Sequence, residues 1–355
     1  MSDRDGERSG LGGDAQRWAN RMLAPRASSP VRPLSRPPTF SIVIAAYQAA
    51  DTVAGAVASA LAQLHPAHEV IVVDDGSTDA TVASLEPVAD RIRLLRKPHG
   101  GVASARNAAL DVATGEFIAI LDADDAYHPA RLLGLAALAR ARPDLDLITT
   151  DAVFVLGGRT SGTFLAHNPF ELASQRTAIL RSCFVGGWPA VRRARLRELG
   201  GFDESLRTGS DWDCWLRLIL SGSSAGLLAE PYYEYRVHSR SLTARRALSL
   251  WDRVRLLEKA AANPLLREEE RPALLASLRA HRSRAARAEA AAILFDPGSR
   301  WAPEARRRLR QLALLADIDV RTRGLAGLAA LWPAAARVLS APEESLEARL
   351  SRLAR

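Results

Sequence analysis

Several features that would indicate a particular class of protein are missing from this sequence of 355 residues. The two cysteines, Cys183 and Cys214, form no metal-binding spacing and do not demand a disulfide, so a reducing compartment suits them. No apolar run approaches the roughly 20 residues that a membrane span needs. The charged segment Met1–Arg8 is not followed by the apolar region of a secretory signal. We therefore expect a cytoplasmic protein without a membrane span.

The charge of the chain is unbalanced, with a formal net charge of +8 that comes almost entirely from arginine. Such an excess is typical of proteins that bind nucleic acids or anionic membranes. It also accompanies the alanine-rich composition of proteins from GC-rich genomes. We favour this compositional explanation and expect no nucleic-acid partner.

Composition divides the chain into three predicted parts. Residues 1–37 are rich in Gly, Ser, Pro and Arg, which is typical of a disordered leader. Residues 38–243 carry alternating strand and helix patterns together with the chemical motifs. Residues 244–355 have a helical pattern rich in Ala, Leu and Arg. A helical cap with solvated arginines is our preferred interpretation of this last part, and peripheral contact with a membrane is the alternative.

The central part begins with four apolar segments of strand length, separated by segments with a helical pattern. This alternation predicts an α/β fold with a Rossmann-like, mostly parallel sheet flanked by helices. The predicted strands are Phe40–Ala46, Val70–Val73, Ile92–Leu95 and Phe117–Leu121, and the predicted helices between them include Asp79–Val88 and Val102–Ala113.

Two of these strands end in acidic clusters, at the edge of a parallel sheet where ligands bind. Asp74 and Asp75 follow the second strand, and Asp122, Asp124 and Asp125 follow the fourth. Carboxylates this close repel one another unless a cation or hydrogen-bond donors neutralise them. A solvated acidic turn is the simplest explanation of one isolated cluster. Two clusters at one edge favour a Mg²⁺ or Mn²⁺ site that presents a phosphate-bearing ligand.

Six motifs follow one another along the chain in a characteristic order. They are Ile42–Tyr47, Val72–Asp79, Ala105–Asn107, Leu121–Asp125, Ser210–Asp213 and Tyr235–His238. Together they resemble an inverting family 2 glycosyltransferase with the GT-A fold, over about residues 38–243. The resemblance implies transfer of a sugar from a nucleoside diphosphate sugar, UDP-linked by default, to an acceptor hydroxyl. The acceptor that it implies is a saccharide or lipid-linked glycan in cell-surface polysaccharide synthesis.

The resemblance also implies a donor site built from the first four motifs. Asp75 matches the residue that accepts a hydrogen bond from the nucleobase, and Ala45 and Tyr47 match the positions that flank the base. Arg106 matches a basic position beside the nucleotide, with an ion pair to a nearby aspartate as its alternative role. Asp122 matches the carboxylate that holds the ribose or the donor sugar.

The metal ligands are implied by the fourth and sixth motifs. Asp124 matches the carboxylate that binds Mn²⁺ or Mg²⁺, and Asp125 is expected to share in binding the metal or the donor. His238 matches a position that supplies a further metal ligand or a diphosphate contact in some relatives. The alternative for His238 is a histidine on a surface loop.

The catalytic base is implied by the fifth motif. Asp211 matches the carboxylate that takes the proton from the acceptor hydroxyl. We expect it at a helix N-terminus capped by Ser210, where the helix dipole favours a negative charge. In the alternative reading Asp211 only caps the helix, and Asp213 is the base.

Two further absences narrow the predicted function. Processive synthases of this family carry a Q-x-x-R-W motif and several membrane spans, and the sequence has neither, so we expect addition of one or a few sugars. A nucleotidyltransferase would need a Gly-rich basic loop after the first strand, and Ala45–Asp51 contains neither glycine nor a basic residue. A non-catalytic protein that binds sugar nucleotides or partner proteins is the other alternative.

Overall fold

A computed structural model describes residues 36–237, 246–295, 303–315, 318–319, 322–323 and 326–327 of the chain. The chain divides into two compact units, Met1–Ser239 and Arg240–Arg355. Residues 1–35 of the predicted leader lie outside the described residues, and His238 also lies outside them. The functional boundaries drawn from the sequence at residues 37 and 243 stay predictions.

One mixed sheet organises the described part of the first unit. Its strands are β1 (Phe40–Ala46), β2 (Glu69–Asp74), β3 (Arg93–Arg96), β4 (Phe117–Asp122), β5 (Ala126–Tyr127), β6 (Leu147–Leu156), β7 (Arg159–Thr163), β8 (Ala190–Arg192) and β9 (Ala225–Val237). They lie in the order β3-β2-β1-β4-β8-β6-β9-β5, and β7 pairs with β6. The pairs among β1 to β4 are parallel, as is β6 with β9. The other pairs are antiparallel, which makes the sheet mixed.

Helices connect these strands. Those described in the first unit are α1 (Val53–Leu61), α2 (Val102–Val112), α3 (Arg131–Ala141), α4 (Phe164–His167), α5 (Gln175–Ile179), α6 (Arg193–Glu198) and α7 (Ser210–Leu220). The apolar side chains of β1, β2 and β4 are almost completely buried. Strands that are apolar along their whole length are typical of a parallel sheet covered on both faces. The α/β fold predicted from this pattern is therefore confirmed.

The predicted helix Asp79–Val88 is wrong. A 3₁₀-helix, Ala83–Arg91, lies there instead, with Pro87 inside it. Proline has no backbone N–H, and its ring clashes with the preceding turn of an α-helix. Pro87 therefore disfavours a continuous α-helix through this segment.

The described part of the second unit is helical. It contains α8 (Arg246–Ala261), a 3₁₀ turn (Glu268–Glu270), α9 (Arg271–Phe295) and α10 (Pro303–Ala313). Leu309 and Leu312 of α10 pack with Ala286 and Ala290 of α9 in a small apolar cluster. None of the described helices, in either unit, has the length and apolar character that crossing a bilayer requires.

Two glycines predict opposite effects of the same substitution on the stability of the first unit. A Cβ on Gly115, just before β4, would lie 2.6 Å from the backbone nitrogen of Ser41. Gly115→Ala should therefore lower the free energy of unfolding by about 1–3 kcal/mol through overpacking. Gly55 is exposed on α1, and the nearest atom to its Cβ position lies at 3.9 Å. Gly55→Ala should raise the free energy of unfolding by about 0.5–1 kcal/mol.

Urea denaturation followed by near-ultraviolet circular dichroism measures both changes. If the wild type and Gly115→Ala had the same free energy of unfolding, the segment before β4 could move away from Ser41 without loss of stability, and the prediction would be wrong.

Candidate active site

Residues predicted for the donor site lie together at the C-terminal edge of β1, β2 and β4. Because β1 lies between the other two strands, Ala45 pairs in register with Val73 on one side and Asp122 on the other. Asp75 directly follows β2, and its backbone N–H donates to the Ala46 carbonyl at 2.8 Å. The sheet itself thus places Ala45 between the two acidic clusters.

The turn after β1 is fastened to the acidic turn after β2. Gln48 has a φ of 49°, which is uncommon for a residue other than glycine. Its side-chain oxygen accepts the backbone N–H groups of Thr78 and Asp79 at 2.9 and 3.2 Å. Its own N–H donates to Ser77 Oγ at 3.0 Å. Backbone strain of this kind persists only where surrounding contacts fix it. Tyr47, the residue before Gln48, is 48% exposed.

Asp75 is buried against the turn that follows β3, and both of its carboxylate oxygens already have donors. Oδ1 accepts from Lys97 Nζ at 2.7 Å and from the Gly100 N–H at 3.0 Å. Oδ2 accepts from the Gly101 N–H at 2.7 Å and lies 2.8 Å from His99 Nδ1. A nucleobase can therefore reach this carboxylate only by replacing one of these donors.

Arg106 interacts with two of the predicted functional carboxylates. It lies on α2, is 6% exposed, and donates from Nη2 to Asp122 Oδ1 at 2.7 Å. Burial alone would lower the pKa of Arg106, but the charges of Asp122 and Asp211 outweigh burial and raise it. The guanidinium also lies 5.6 Å from the ring centre of Phe202. The ion pair considered as the alternative role of Arg106 is thus present in the structure.

Asp125 faces β9 and is buried. Its Oδ2 accepts from the Tyr233 hydroxyl at 2.7 Å, and its Oδ1 accepts from the backbone N–H of Arg236 at 2.8 Å. Burial, and then the charges of Asp122 and Asp124, raise the pKa of Asp125 to about 8. These contacts fasten the acidic turn to the sheet. The predicted contact of Asp125 with the donor or the metal stays a prediction.

Two side chains beneath the acidic turn were missed by the sequence reasoning. The Tyr233 hydroxyl accepts the backbone N–H of Asp122 at 3.3 Å while it donates to Asp125 Oδ2 at 2.7 Å. Arg131 is fully buried, and its guanidinium lies 4.6 Å from the ring of Tyr127 and 5.3 Å from that of Tyr233. Burial lowers the pKa of Arg131. An arginine directly before the apolar run Leu132–Ala139 is the sequence signal that marks it.

The acidic turn fits a hard cation that also binds a phosphate. Asp122 and Asp124 are both partly exposed, and Asp122 pairs with the buried guanidinium of Arg106. Within the described ranges, no three His, Cys, Asp or Glu side chains are placed to hold a metal by themselves. Mg²⁺ is commonly bound through one or two carboxylates and the phosphates of the substrate. The third predicted ligand, His238, lies outside the described residues.

Two tryptophans anchor the helix that carries the predicted base. Trp212 Nε1 donates to the Ile179 carbonyl at 2.7 Å, and Trp215 Nε1 donates to the Gly186 carbonyl at 2.9 Å. Both side chains are buried. They tie α7 to the segment before β8, and Asp211 is thereby held partly exposed in the first turn of a fixed helix.

The predicted cap of this helix is wrong. The N-cap residue of α7 is Gly209, which has a φ of 73°, and no side chain caps the helix. Ser210 is instead buried as the first helical residue. A left-handed backbone at the cap favours glycine over serine.

The two acids of the first turn of α7 have different surroundings. Asp213 is buried and pairs with Arg217 Nε at 2.7 Å. Asp211 is partly exposed, and a Cβ added to Gly187 would lie 3.0 Å from its Oδ2. The glycine therefore leaves space beside Asp211, while Asp213 is enclosed by its ion pair.

The raised pKa of Asp125 makes stability depend on pH. The pKa rises from an ordinary value of 3.8 to about 8, so the folded state binds the proton more tightly than the unfolded state. The contribution to stability is therefore complete below about pH 4 and is lost as the pH rises through about 8, by at most about 1.4 kcal/mol per pH unit. Asp125→Asn should remove this slope.

Urea denaturation in EDTA, repeated from about pH 5 to about pH 8, measures this dependence. Asp111→Asn, an exposed substitution on α2, is the control and should leave the slope unchanged. Parallel curves for the wild type and Asp125→Asn would contradict the prediction.

Comparison with known proteins agrees with the resemblance carried by the motifs. The model of the family described as Glycosyl transferase family 2 matches residues 41–200. The succinoglycan biosynthesis protein ExoO of Rhizobium meliloti (strain 1021) is 34% identical over 229 residues, which is 61% of this chain and 65% of ExoO. The match thus spans slightly less than two thirds of that relative.

Solved structures share the fold. TarS 1–349 of S. aureus in complex with UDP-GlcNAc has a TM-score of 0.62 at 20% identity, covering 85% of this chain and 90% of that chain. The mannosyltransferase PcManGT from Pyrobaculum calidifontis, in complex with GDP-Man and Mn²⁺, has a TM-score of 0.56 at 19% identity, covering 97% and 94%. At such identities the likeness shows the fold alone, and it confirms the predicted GT-A fold.

Proposed function

We propose that this chain, whose residues 41–200 match the model described as Glycosyl transferase family 2, moves one sugar from a nucleoside diphosphate to an acceptor hydroxyl with inversion. The observation that carries this proposal is the pair of carboxylates that share Arg106. Asp122, at the end of β4, pairs with this guanidinium, and Asp211, on α7, contributes to raising its pKa. This shared interaction supports a site in which the residue matched to the donor sugar and the residue matched to the base act together.

The donor is a nucleoside diphosphate sugar, with UDP as the preferred carrier. TarS, which shares the fold, was solved in complex with UDP-GlcNAc, and PcManGT was solved in complex with GDP-Man. In this chain Ala45 and Tyr47 would flank the base, and Asp75 would accept a hydrogen bond from it. Asp122 would bind the ribose or the sugar.

A divalent cation, Mn²⁺ or Mg²⁺, would be held by Asp124 with help from Asp122 and the phosphates of the donor. PcManGT was solved with Mn²⁺, and the partly exposed carboxylates of the acidic turn suit such an ion. Bound there, the ion would neutralise the negative charge that develops on the leaving diphosphate. His238 would supply a further ligand.

Asp211 would act as the base. As the acceptor oxygen bonds to the anomeric carbon and the bond from that carbon to the diphosphate breaks, the hydroxyl proton passes to the Asp211 carboxylate. Trp212 and Trp215 hold the helix that bears this carboxylate. The space left by Gly187 next to Asp211 is where the acceptor hydroxyl would enter.

The acceptor proposed is a saccharide or a lipid-linked glycan. ExoO, which shares 34% identity with this chain, is named for succinoglycan biosynthesis, and this supports a role in polysaccharide synthesis. The helices of the second unit carry exposed arginines, such as Arg271, Arg279 and Arg284. These side chains would attract an anionic membrane that holds a lipid-linked acceptor.

Asp211→Asn should lower the rate of sugar transfer by about 10²- to 10⁴-fold, which is the range expected for loss of a general base. The dissociation constant for UDP should change little, because Asp211 lies on the acceptor side. Transfer is measured with a radiolabelled donor in the presence of Mn²⁺, and UDP binding is measured by calorimetry.

Asp213→Asn is the matched control, because the same change is made two residues away in the same helical turn. It breaks the ion pair with Arg217 and should lower the melting temperature while the folded fraction stays active. Normal turnover by Asp211→Asn would rule out the assigned base. Nucleotide binding without transfer by the wild type would favour the non-catalytic alternative.

A further inference from the structure

The side chain of His99 lies against both residues, Tyr47 and Asp75, that the proposed site reserves for a nucleobase. Its ring stacks on Tyr47, with 4.1 Å between ring centres and 26° between the planes. Its Nδ1 lies 2.8 Å from Asp75 Oδ2. The hydrogen bond of Nδ1 is to the backbone carbonyl of Asp75 at 3.2 Å, and because a carbonyl oxygen only accepts, the imidazole must carry a proton on Nδ1 to donate it. A planar nitrogen heterocycle with an N–H directed at Asp75 already lies on Tyr47.

These contacts exclude a base from the same position. Stacked aromatic rings lie about 4.5–7 Å apart between centres, so no third ring fits between Tyr47 and His99. An ionised carboxylate offers about four acceptor positions. Lys97 Nζ donates to Oδ1, the Gly100 N–H donates to both oxygens and the Gly101 N–H donates to Oδ2, while the imidazole Nδ1 lies 2.8 Å from Oδ2. The base and the imidazole are therefore mutually exclusive.

We infer that His99 occupies the nucleobase position in the free protein and that the incoming base displaces it. This inference rests on the proposed function, because it concerns the donor site of that reaction. His99 is then a residue that sets the affinity for the donor, since its contacts must be broken before the base can bind.

The surrounding turn lets the imidazole leave without unfolding. The side chain of His99 is 55% exposed, so it can rotate toward solvent. The other donors to Asp75 come from the Lys97 ammonium and from the backbone of Gly100 and Gly101. They hold the carboxylate in place independently of the imidazole. Displacement thus costs one stack and one hydrogen bond.

The displaced group also indicates which bases fit. The imidazole directs a ring N–H at Asp75, and uracil and guanine carry such a ring N–H on their pairing edge. Adenine has an acceptor nitrogen at the corresponding ring position, which a carboxylate repels. Uracil and guanine nucleotides should replace His99, and adenine nucleotides should not.

His99→Ala tests the inference by calorimetric titration with UDP in the presence of Mn²⁺. The variant should bind UDP about three- to tenfold more tightly than the wild type, because it no longer breaks a hydrogen bond and a stack on binding. ADP should bind neither protein appreciably. The control is His128→Ala, which removes an imidazole that stacks on Tyr232 at 4.9 Å and should leave UDP affinity unchanged.

A second measurement follows the imidazole itself. Of the seven histidines in the chain, the resonance of His99 is identified by its loss in His99→Ala. In the free protein it should show the ring-current shift of a proton stacked on tyrosine, and saturation with UDP should remove that shift.

Each outcome has a distinct meaning. Unchanged or weaker UDP binding by His99→Ala, or a His99 resonance that does not move while UDP binds, would overturn the inference and leave the proposed function intact. Failure of the wild type and the variant to bind any nucleoside diphosphate would overturn the proposed function together with the inference.

Discussion

The ion pair between Arg106 and Asp122 is the interaction on which the arrangement of the site depends. Negative charge stabilises a guanidinium this buried, and the two carboxylates that raise its pKa come from distant parts of the chain. Asp122 ends a strand of the sheet, and Asp211 lies on α7. One buried cation thus interacts with carboxylates from two distant parts of the chain.

Asp125, in the same acidic turn, is stabilised by other contacts. Its side chain is buried, and its two oxygens accept hydrogen bonds from the Tyr233 hydroxyl and from the backbone N–H of Arg236. Arg131 lies below the ring of Tyr233 and supplies positive charge without an ion pair to the turn. The acidic turn therefore has two kinds of carboxylate. Asp122 and Asp124 are partly exposed, whereas Asp125 is buried and fastens the turn to β9.

Much of the fold could be predicted from the sequence because its signals are local. Apolar runs such as Val70–Val73 are strands in almost any buried setting, and the acids that follow them must lie at one edge of a parallel sheet. Other features depend on partners far along the chain. The donors to Asp75 come from a turn more than twenty residues later, and the cap at Gly209 depends on a backbone angle that composition does not encode. The burial of Tyr233 against Asp125 likewise joins residues 108 positions apart.

The two tryptophans that anchor α7 have an optical consequence. Trp212 and Trp215 are buried on the helix that carries Asp211, and their indole N–H groups are fixed by backbone carbonyls. Their emission is therefore sensitive to the packing of the segment before β8, and this segment passes beside Asp211. The helix that carries Asp211 thus contains an intrinsic fluorophore pair, and binding of an unlabelled saccharide beside Gly187 would change its emission.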